Sequence, residues 1–284
     1  MLNSLTRINE LQVAARTSSF SFQGEHPDVG TVAHKLNVAS VLEGSVRRSG
    51  NTIRVTAQLN NAVTGFHLWS QTYDRDLGDI LKLQTDIANA VAGALKVTLL
   101  GNASARIELG GTHNLAAFDA YLRGVKASRS TNDAKDGQTA IDAYSEAIRL
   151  DPNYALAFAG RSRAHTDYAG TFATGAAIRE SFDKAHADAR EAISLAPELA
   201  EGHLALGYFF EEGTLDFTQA LDAYQRALAL APGNAMVLRQ SSALLVSVGQ
   251  FEDGISAARR AVVLDPLDRS SHNYLAGALY SARR

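Results

Sequence analysis

Cysteine is absent from the 284-residue sequence, which removes disulfides, thiolate metal sites and cysteine nucleophiles together and leaves the redox compartment undetermined. Long apolar runs are missing as well. No window approaches the ~20 residues of a membrane span, and "MLNSLTRINELQVAAR" carries no apolar stretch behind a basic start, so the chain as written has no signal peptide or transmembrane segment and is expected in the cytoplasm. Neither sign of charge dominates, since the net charge is -3. Nothing in that balance calls for a polyanionic partner. The phosphate loop G-x-x-x-x-G-K-[ST], the G-x-G-x-x-G turn, the G-x-S-x-G elbow and the H-E-x-x-H helix are all lacking. The sequence therefore reads as non-enzymatic, with no cofactor, no catalytic residue and no metal.

Proline is scarce, at five residues, and its placement is informative. Pro152, Pro197, Pro232 and Pro266 each follow a leucine by two positions, at intervals of 45, 35 and 34. Five residues before each lie Ala147, Ala192, Ala227 and Ala261; twelve before lie Ala140, Ala185, Ala220 and Gly254. Residues seven apart share a helix face, and small side chains there let a neighbouring helix approach closely. Proline just past the last leucine cannot continue the helix, which sets a boundary.

Upstream of each such helix lies a second periodic segment, for instance "YALAFAGRSRAHTDYA" from 154 and "AEGHLALGYFFEE" from 200. Each sets a small residue at its expected crossing point: Ser162, Gly207, Ser242 and Ala276. Helix, turn, helix and proline at a period of about 34 resembles the tetratricopeptide repeat (TPR) family over residues 115–284. Its aromatic positions match at Tyr144 and Tyr224, whereas Ala189 and Ala258 stand in the equivalent places and suggest thinner packing. The resemblance implies an all-α right-handed superhelix of about four repeats plus a terminal helix, residues 269–283, as a polar cap. Eleven extra residues between Ser162 and Ala185 predict two lengthened helices around "GTFATG" (170–175), or else a loop.

Before residue 100 the period changes to two. "TIRVTAQL" (52–59) alternates, with Ile53, Val55, Ala57 and Leu59 on one face. "SVLEGSVRR" (40–48) and "GFHLWSQTYD" (65–74) flank it across "SGN" and "NAVT", which predicts a three-stranded antiparallel meander. "LQVAAR" (11–16) reads as a further strand. Helices are expected at 28–37 and at 79–97, the latter capped by Asp79 and striped by Ile80, Leu83, Ile87, Val91 and Leu95. Residues 1–100 thus predict an α+β domain of three to four strands and two to three helices, joined through a glycine-rich linker (101–114) to the array at 115–284.

At "TSSFSFQG", "VLEGSVRRSGNTIRVTAQLNNAVTGFHLWSQTYDRDL" and "ILKLQTDIANAV" this segment resembles the TolB-amino-terminal-like domain. That domain lies ahead of TPR arrays in bacterial adenylate cyclases and membrane-anchored winged-helix transcription regulators. The resemblance implies a sensory or regulatory protein–protein interaction module in signal transduction or transcription regulation, periplasmic if part of a longer membrane-anchored regulator. Its alternative is the detached regulatory portion of an adenylate cyclase, inactive by itself. Family members begin with an apolar strand and a helix, and only "LNSLTRI" of that helix remains, so an incomplete sheet is expected, and with it a homodimer through the sheet or a mobile amino-terminal domain.

Candidate sites are few. Asp183, His186 and Arg190 share a helix but read as a solvated face. Arg47, Arg48 and Arg54 around "RRSGN" read as a soluble edge, and nucleic acid is not the expected partner. Trp69 reads as structural, on one face with His67, Gln71 and Tyr73. The TPR resemblance implies a concave groove for a peptide or protein, with contacts at Arg163, Thr166, Leu204, Tyr208, Glu211, Arg239 and Asn273. Gly160, Ala205, Gln240 and Tyr274 stand where the family's carboxylate clamp has asparagine or arginine, so that clamp is not expected here.

Overall fold

The computed structural model describes Leu5 and residues 11–22, 24, 27–95, 109–129 and 133–283. The chain forms two compact units, one of residues 1–108, 233–239 and 255–284, the other of 109–232 and 240–254. Residues 101–108 of the expected linker lie outside the described residues, and 109–114 belong to the second unit.

In the first unit, strands β1 (Ser40–Ser49), β2 (Thr52–Asn61) and β3 (His67–Asp76) form the antiparallel meander in the order β1-β2-β3. Ser49 pairs with Thr52, and the intervening turn uses Gly50 at φ 61°, a conformation that glycine adopts without strain. Alternation buries Ile53, Ala57 and Leu59 of β2 with Tyr73 of β3. Helix α3 (Ile80–Ala94) closes over them with Leu83, Ile87, Ala88, Val91 and Ala92, while Ile80 and Leu95 pack at the margin. Asp79 precedes α3 without capping it, because a 3-10 turn at Leu77–Asp79 leads straight into the helix. Asp28 does cap α2 (Val29–Leu36), accepting from the Thr31 N–H at 2.9 Å.

Two further expectations fail here. Residues 11–15 are not a strand: they have no regular structure and run into α1 (Arg16–Phe20). The Ala15 N–H donates to the Leu264 carbonyl at 2.7 Å, so this segment is held by a helix end and not by the sheet. His67 does not share the face of Trp69 either. A bulge between Leu59 and Asn60 sets His67 opposite Asn60, where its Nδ1 lies 2.5 Å from Asn60 Oδ1.

The remaining described residues form helices, so the class is an α+β segment followed by an all-α array. They comprise α4 (Leu115–Ala127), α5 (Ala134–Leu150), α6 (Ala155–Thr171), α7 (Ala176–Leu195), α8 (Ala200–Phe209), α9 (Phe217–Leu230), α10 (Ala235–Ser247), α11 (Phe251–Leu264) and α12 (Arg269–Ser281). Ala140, Ala147, Ala185, Ala192, Ala220, Ala227 and Ala261 are all essentially inaccessible, as is the Gly254 that completes the series. The long interval is absorbed as the two-helix reading expects: α6 has 17 residues and α7 has 20, with Phe172–Gly175 turning between them. The 35-residue interval also has a local cause. A π turn at Phe210–Thr214 extends α8, and a π turn accommodates an extra residue within a helix.

Crossing points differ by what faces them. A Cβ on Gly207 would stand 2.5 Å from the Tyr224 ring, and one on Gly124 or Gly160 would stand 2.7 or 2.6 Å from Tyr144. In the repeats with Ala189 and Ala258, serine occupies the crossing: Ser162 Oγ donates to the Ala185 carbonyl at 2.7 Å and Ser242 Oγ to that of Gly254 at 2.8 Å. Ala276, the corresponding residue of α12, is exposed. Ala227→Leu is therefore expected to overpack its crossing and destabilise by about 1–3 kcal/mol, while Ala276→Leu changes stability by about 0.5 kcal/mol or less. Denaturant melts of the two variants check the contrast; equal losses would mean that crossing volume is not what limits the array.

Candidate partner-binding site

The expected contact residues fall in both units and differ in burial. Thr166 and Leu204 are core residues, each 1% exposed. Thr166 lies one helical turn beyond Ser162, on the crossing face, and its hydroxyl donates to the Ser162 carbonyl at 3.1 Å. Neither offers a side chain to a partner. Asn273 is exposed on α12, in the first unit.

Arg239 also has another role. In the first unit its guanidinium donates to Asp268 at 3.0 Å and to Ser271 Oγ at 3.1 Å, with Asp265 at 3.4 Å. Asp265 is itself buried and accepts from the Ser18 N–H at 3.0 Å and the Ser18 hydroxyl at 2.6 Å. Ser18 Oγ in turn accepts from the Leu267 N–H at 2.8 Å. Arg239 is thus a structural clasp within a buried polar network.

Arg163, Tyr208 and Glu211 remain, half-buried in the second unit. The Tyr208 hydroxyl donates to Asp167 at 2.7 Å, tying α8 to α6, and the Tyr224 hydroxyl donates to Glu211 at 2.7 Å, tying α9 to the π turn. Burial, followed by the carboxylate each one meets, holds both phenols above the ordinary tyrosine range; Arg163 acts in the opposite sense on both. Burial also raises the Glu211 carboxyl, against the lowering effect of its hydrogen bond from Tyr224, and Glu212 adds to the rise. The arrangement offers two oriented acids with one arginine nearby. Its chemistry suits a cationic or hydrogen-bond-donating group.

Asp167 escaped the sequence reading, although it lies four residues after Arg163 and hence on the same helix face. A second polar constellation in this unit had no sequence signal at all. Arg161 makes a two-pronged ion pair with the buried Asp188, at 2.8 and 2.7 Å, and reaches Ser145 at 3.1 Å. These side chains floor a cleft of about 570 Å³ between α5 and α7, where His165 is held neutral, its pKa pushed down to about 4 by burial. His186 stacks on Phe209, with ring centroids 4.6 Å apart. Of the arginines at the β1–β2 turn, Arg54 is paired with Asp74 at 2.6 Å and Arg48 donates to the Gly50 carbonyl.

Removing one partner of a buried ion pair leaves the other uncompensated, so Arg239→Ala is expected to destabilise the protein by about 3 kcal/mol or more. Unchanged thermal stability would return Arg239 to the surface. Glu211 yields a pH test. A carboxyl raised in the folded state contributes stability that is complete below its ordinary value of 4.5 and is lost as pH rises through the folded value. Glu211→Gln is therefore expected to gain in Tm relative to the unaltered chain as pH increases above 4.5. Parallel Tm profiles from pH 4 to 8 would show that Glu211 is not strained.

No protein-family model matches the chain. It is 34% identical over 207 residues, 72% of its length, to a Rhizobium meliloti (strain 1021) protein named "Putative adenylate cyclase 3", of which the match covers 35%. It is 32% identical over 120 residues, 42% of its length, to the small glutamine-rich tetratricopeptide repeat-containing protein 2 of Saccharomyces cerevisiae, covering 30% of that protein. The chain thus spans about a third of the length of these curated relatives. Among solved structures, a thermophilic TPR protein of Thermus thermophilus, TTC0263, aligns over 72% of this chain and 96% of its own, at 17% identity and a TM-score of 0.49.

Proposed function

We propose that this chain is a non-enzymatic regulatory module of a bacterial signalling protein, which grips a basic segment of a protein partner through Asp167, Tyr208 and Glu211. The observation that carries this reading is the pair of tyrosine–carboxylate hydrogen bonds, Tyr208 to Asp167 and Tyr224 to Glu211, at 2.7 Å each. They fix acids at a half-buried surface beside the exposed Glu212. A fixed carboxylate loses little freedom when it meets a lysine or arginine, and that preorganisation favours binding. The repeats expected from the sequence favour interaction over catalysis.

A second reading is favoured by the adenylate cyclase relative, whose match spans most of this chain but a third of that protein. On it, the chain is the regulatory portion of such a cyclase, with the TolB-like α+β segment ahead of the repeats as the sensory part, and is inactive alone. Both readings place the chain in signal transduction, and transcription regulation follows if the neighbouring domain is a winged helix. Both predict no nucleotide turnover by the purified chain.

The binding reading is tested by selecting from a displayed peptide library on the purified protein. Lysine- and arginine-rich peptides are expected to be enriched and to bind about tenfold or more weakly to the Asp167→Asn, Glu211→Gln double variant, since a charge-assisted bond contributes about 1.5–3 kcal/mol. Enrichment of acidic peptides, no enrichment, or unaltered affinity of the double variant would refute it. Turnover of ATP by the chain would refute the non-enzymatic claim for both readings.

A further inference from the structure

The outer edge of β1 is paired to nothing among the described residues, and Glu43–Ser49 are all exposed. An edge strand offers a row of unused N–H and C=O groups. Which residues offer them follows from the turn. Ser49 and Thr52 flank a two-residue turn, so they exchange hydrogen bonds with each other, as do Arg47, Ser45 and Glu43 with their own partners on β2. The even residues Leu42, Gly44, Val46 and Arg48 therefore point their backbone groups outward. Two copies of β1 related by a two-fold axis bond only when even meets even, which fixes the parity of the register.

We infer that a second copy of this chain pairs antiparallel along β1, with Ser45 opposite Ser45 of the other copy and Glu43 opposite Arg47 in both directions. Among the registers of the right parity, this one converts the lone charges into two cross-strand ion pairs. Arg47 has no ion-pair partner among the described residues, whereas Arg54, on the same sheet face, is occupied by Asp74. Glu43 is already oriented, since Asn60 Nδ2 donates to its Oε1 at 2.7 Å and Asn60 Oδ1 is itself 2.5 Å from His67 Nδ1. One carboxylate oxygen remains for the incoming guanidinium. Glu43, Ser45 and Arg47 become positions that exchange no hydrogen bonds across the new seam, where facing side chains approach most closely.

The other sheet face agrees. Gly44 must be glycine, because a Cβ there would stand 2.3 Å from the Thr56 carbonyl oxygen. The inferred register sets Val46 of the other copy opposite that notch. Val46 is 66% exposed although it lies on the face that α3 covers elsewhere. The opposite edge of the sheet lacks this self-complementarity: β3 ends in Asp74, Arg75 and Asp76, and a two-fold centred on Arg75 sets arginine against arginine. The inference rests on the sheet alone and is independent of the partner reading above.

Sedimentation equilibrium of the full chain, with and without added salt, tests it. A dimer is expected that weakens with salt. Glu43→Arg and Arg47→Glu, each opposing like charges twice, are expected to weaken it about tenfold or more. The double exchange E43R/R47E should restore it. Both positions are exposed, and unchanged circular dichroism melts verify folding. The absence of cysteine gives a second readout: Ser45→Cys is expected to oxidise to a disulfide-linked dimer, because facing positions of this kind bring Cα atoms to about 4.5 Å, within disulfide range. Cysteine at Thr72, on β3, should not. A monomer at high micromolar concentration, a dimer indifferent to the single reversals, or equal cross-linking at Ser45 and Thr72 would each overturn the inference.

Discussion

Volume at the helix crossings is the constraint on which the repeats depend. Two helices of a hairpin approach only as far as their facing side chains allow, and this chain solves the problem in two ways. Where the second helix carries tyrosine, the first carries glycine: Gly124 faces Tyr144 and Gly207 faces Tyr224, while Gly160 of the following helix meets Tyr144 from its other side. Where the second helix carries Ala189 or Ala258, the first carries serine, whose hydroxyl donates to the neighbouring backbone. Both alanines are fully buried. Bulk moves from one helix to the other, and a buried serine satisfies its own hydrogen-bonding capacity in doing so.

Polar burial organises the first unit in a comparable way. Asp265 is 1% exposed and carries a negative charge, which is tolerable only because Ser18 and Arg239 meet it from two directions. The same contact explains why residues 11–15 are not a strand. Alternation in "LQVAAR" satisfies the pattern for β structure, yet the backbone of this segment bonds to the end of α11 and leads into α1, which delivers Ser18 to Asp265. A local pattern states what a segment is able to bury; which element accepts it is decided by distant residues.

That distinction marks how far the sequence could be read. The meander, α3 and its stripe, the phased alanines and the lengthened pair α6–α7 rest on periodicity and spacing within single segments, and these were legible. The π turn was foreshadowed by an interval one residue too long but not located by it. At the site, the TPR resemblance offered Thr166, Leu204 and Arg239, and the structure buries or pairs all three, because a carried-over position does not reveal what packs upon it. Thr166 follows Ser162 by four residues and inherits its burial. Arg239 needed Asp268 and Ser271, some thirty residues away and invisible to any local pattern. Asp167 was within reach, being one turn from Arg163, but its importance depends on Tyr208.

Packing and binding chemistry finally meet in one residue. The ring of Tyr224 fills the space left by Gly207, so its position is set by the crossing and tolerates no displacement. Its hydroxyl then donates to Glu211, which lies in the π turn that extends α8. The acid is therefore oriented by the same volume matching that closes the hairpin, and the neighbouring Tyr208 holds Asp167 in a parallel fashion. Repeats with alanine at this position have no phenol to present and so cannot anchor a carboxylate in the same way. A repeat that packs by tyrosine on glycine acquires a polar handle as a by-product of its core: Tyr224 meets Glu211 and Tyr144 meets Ser128.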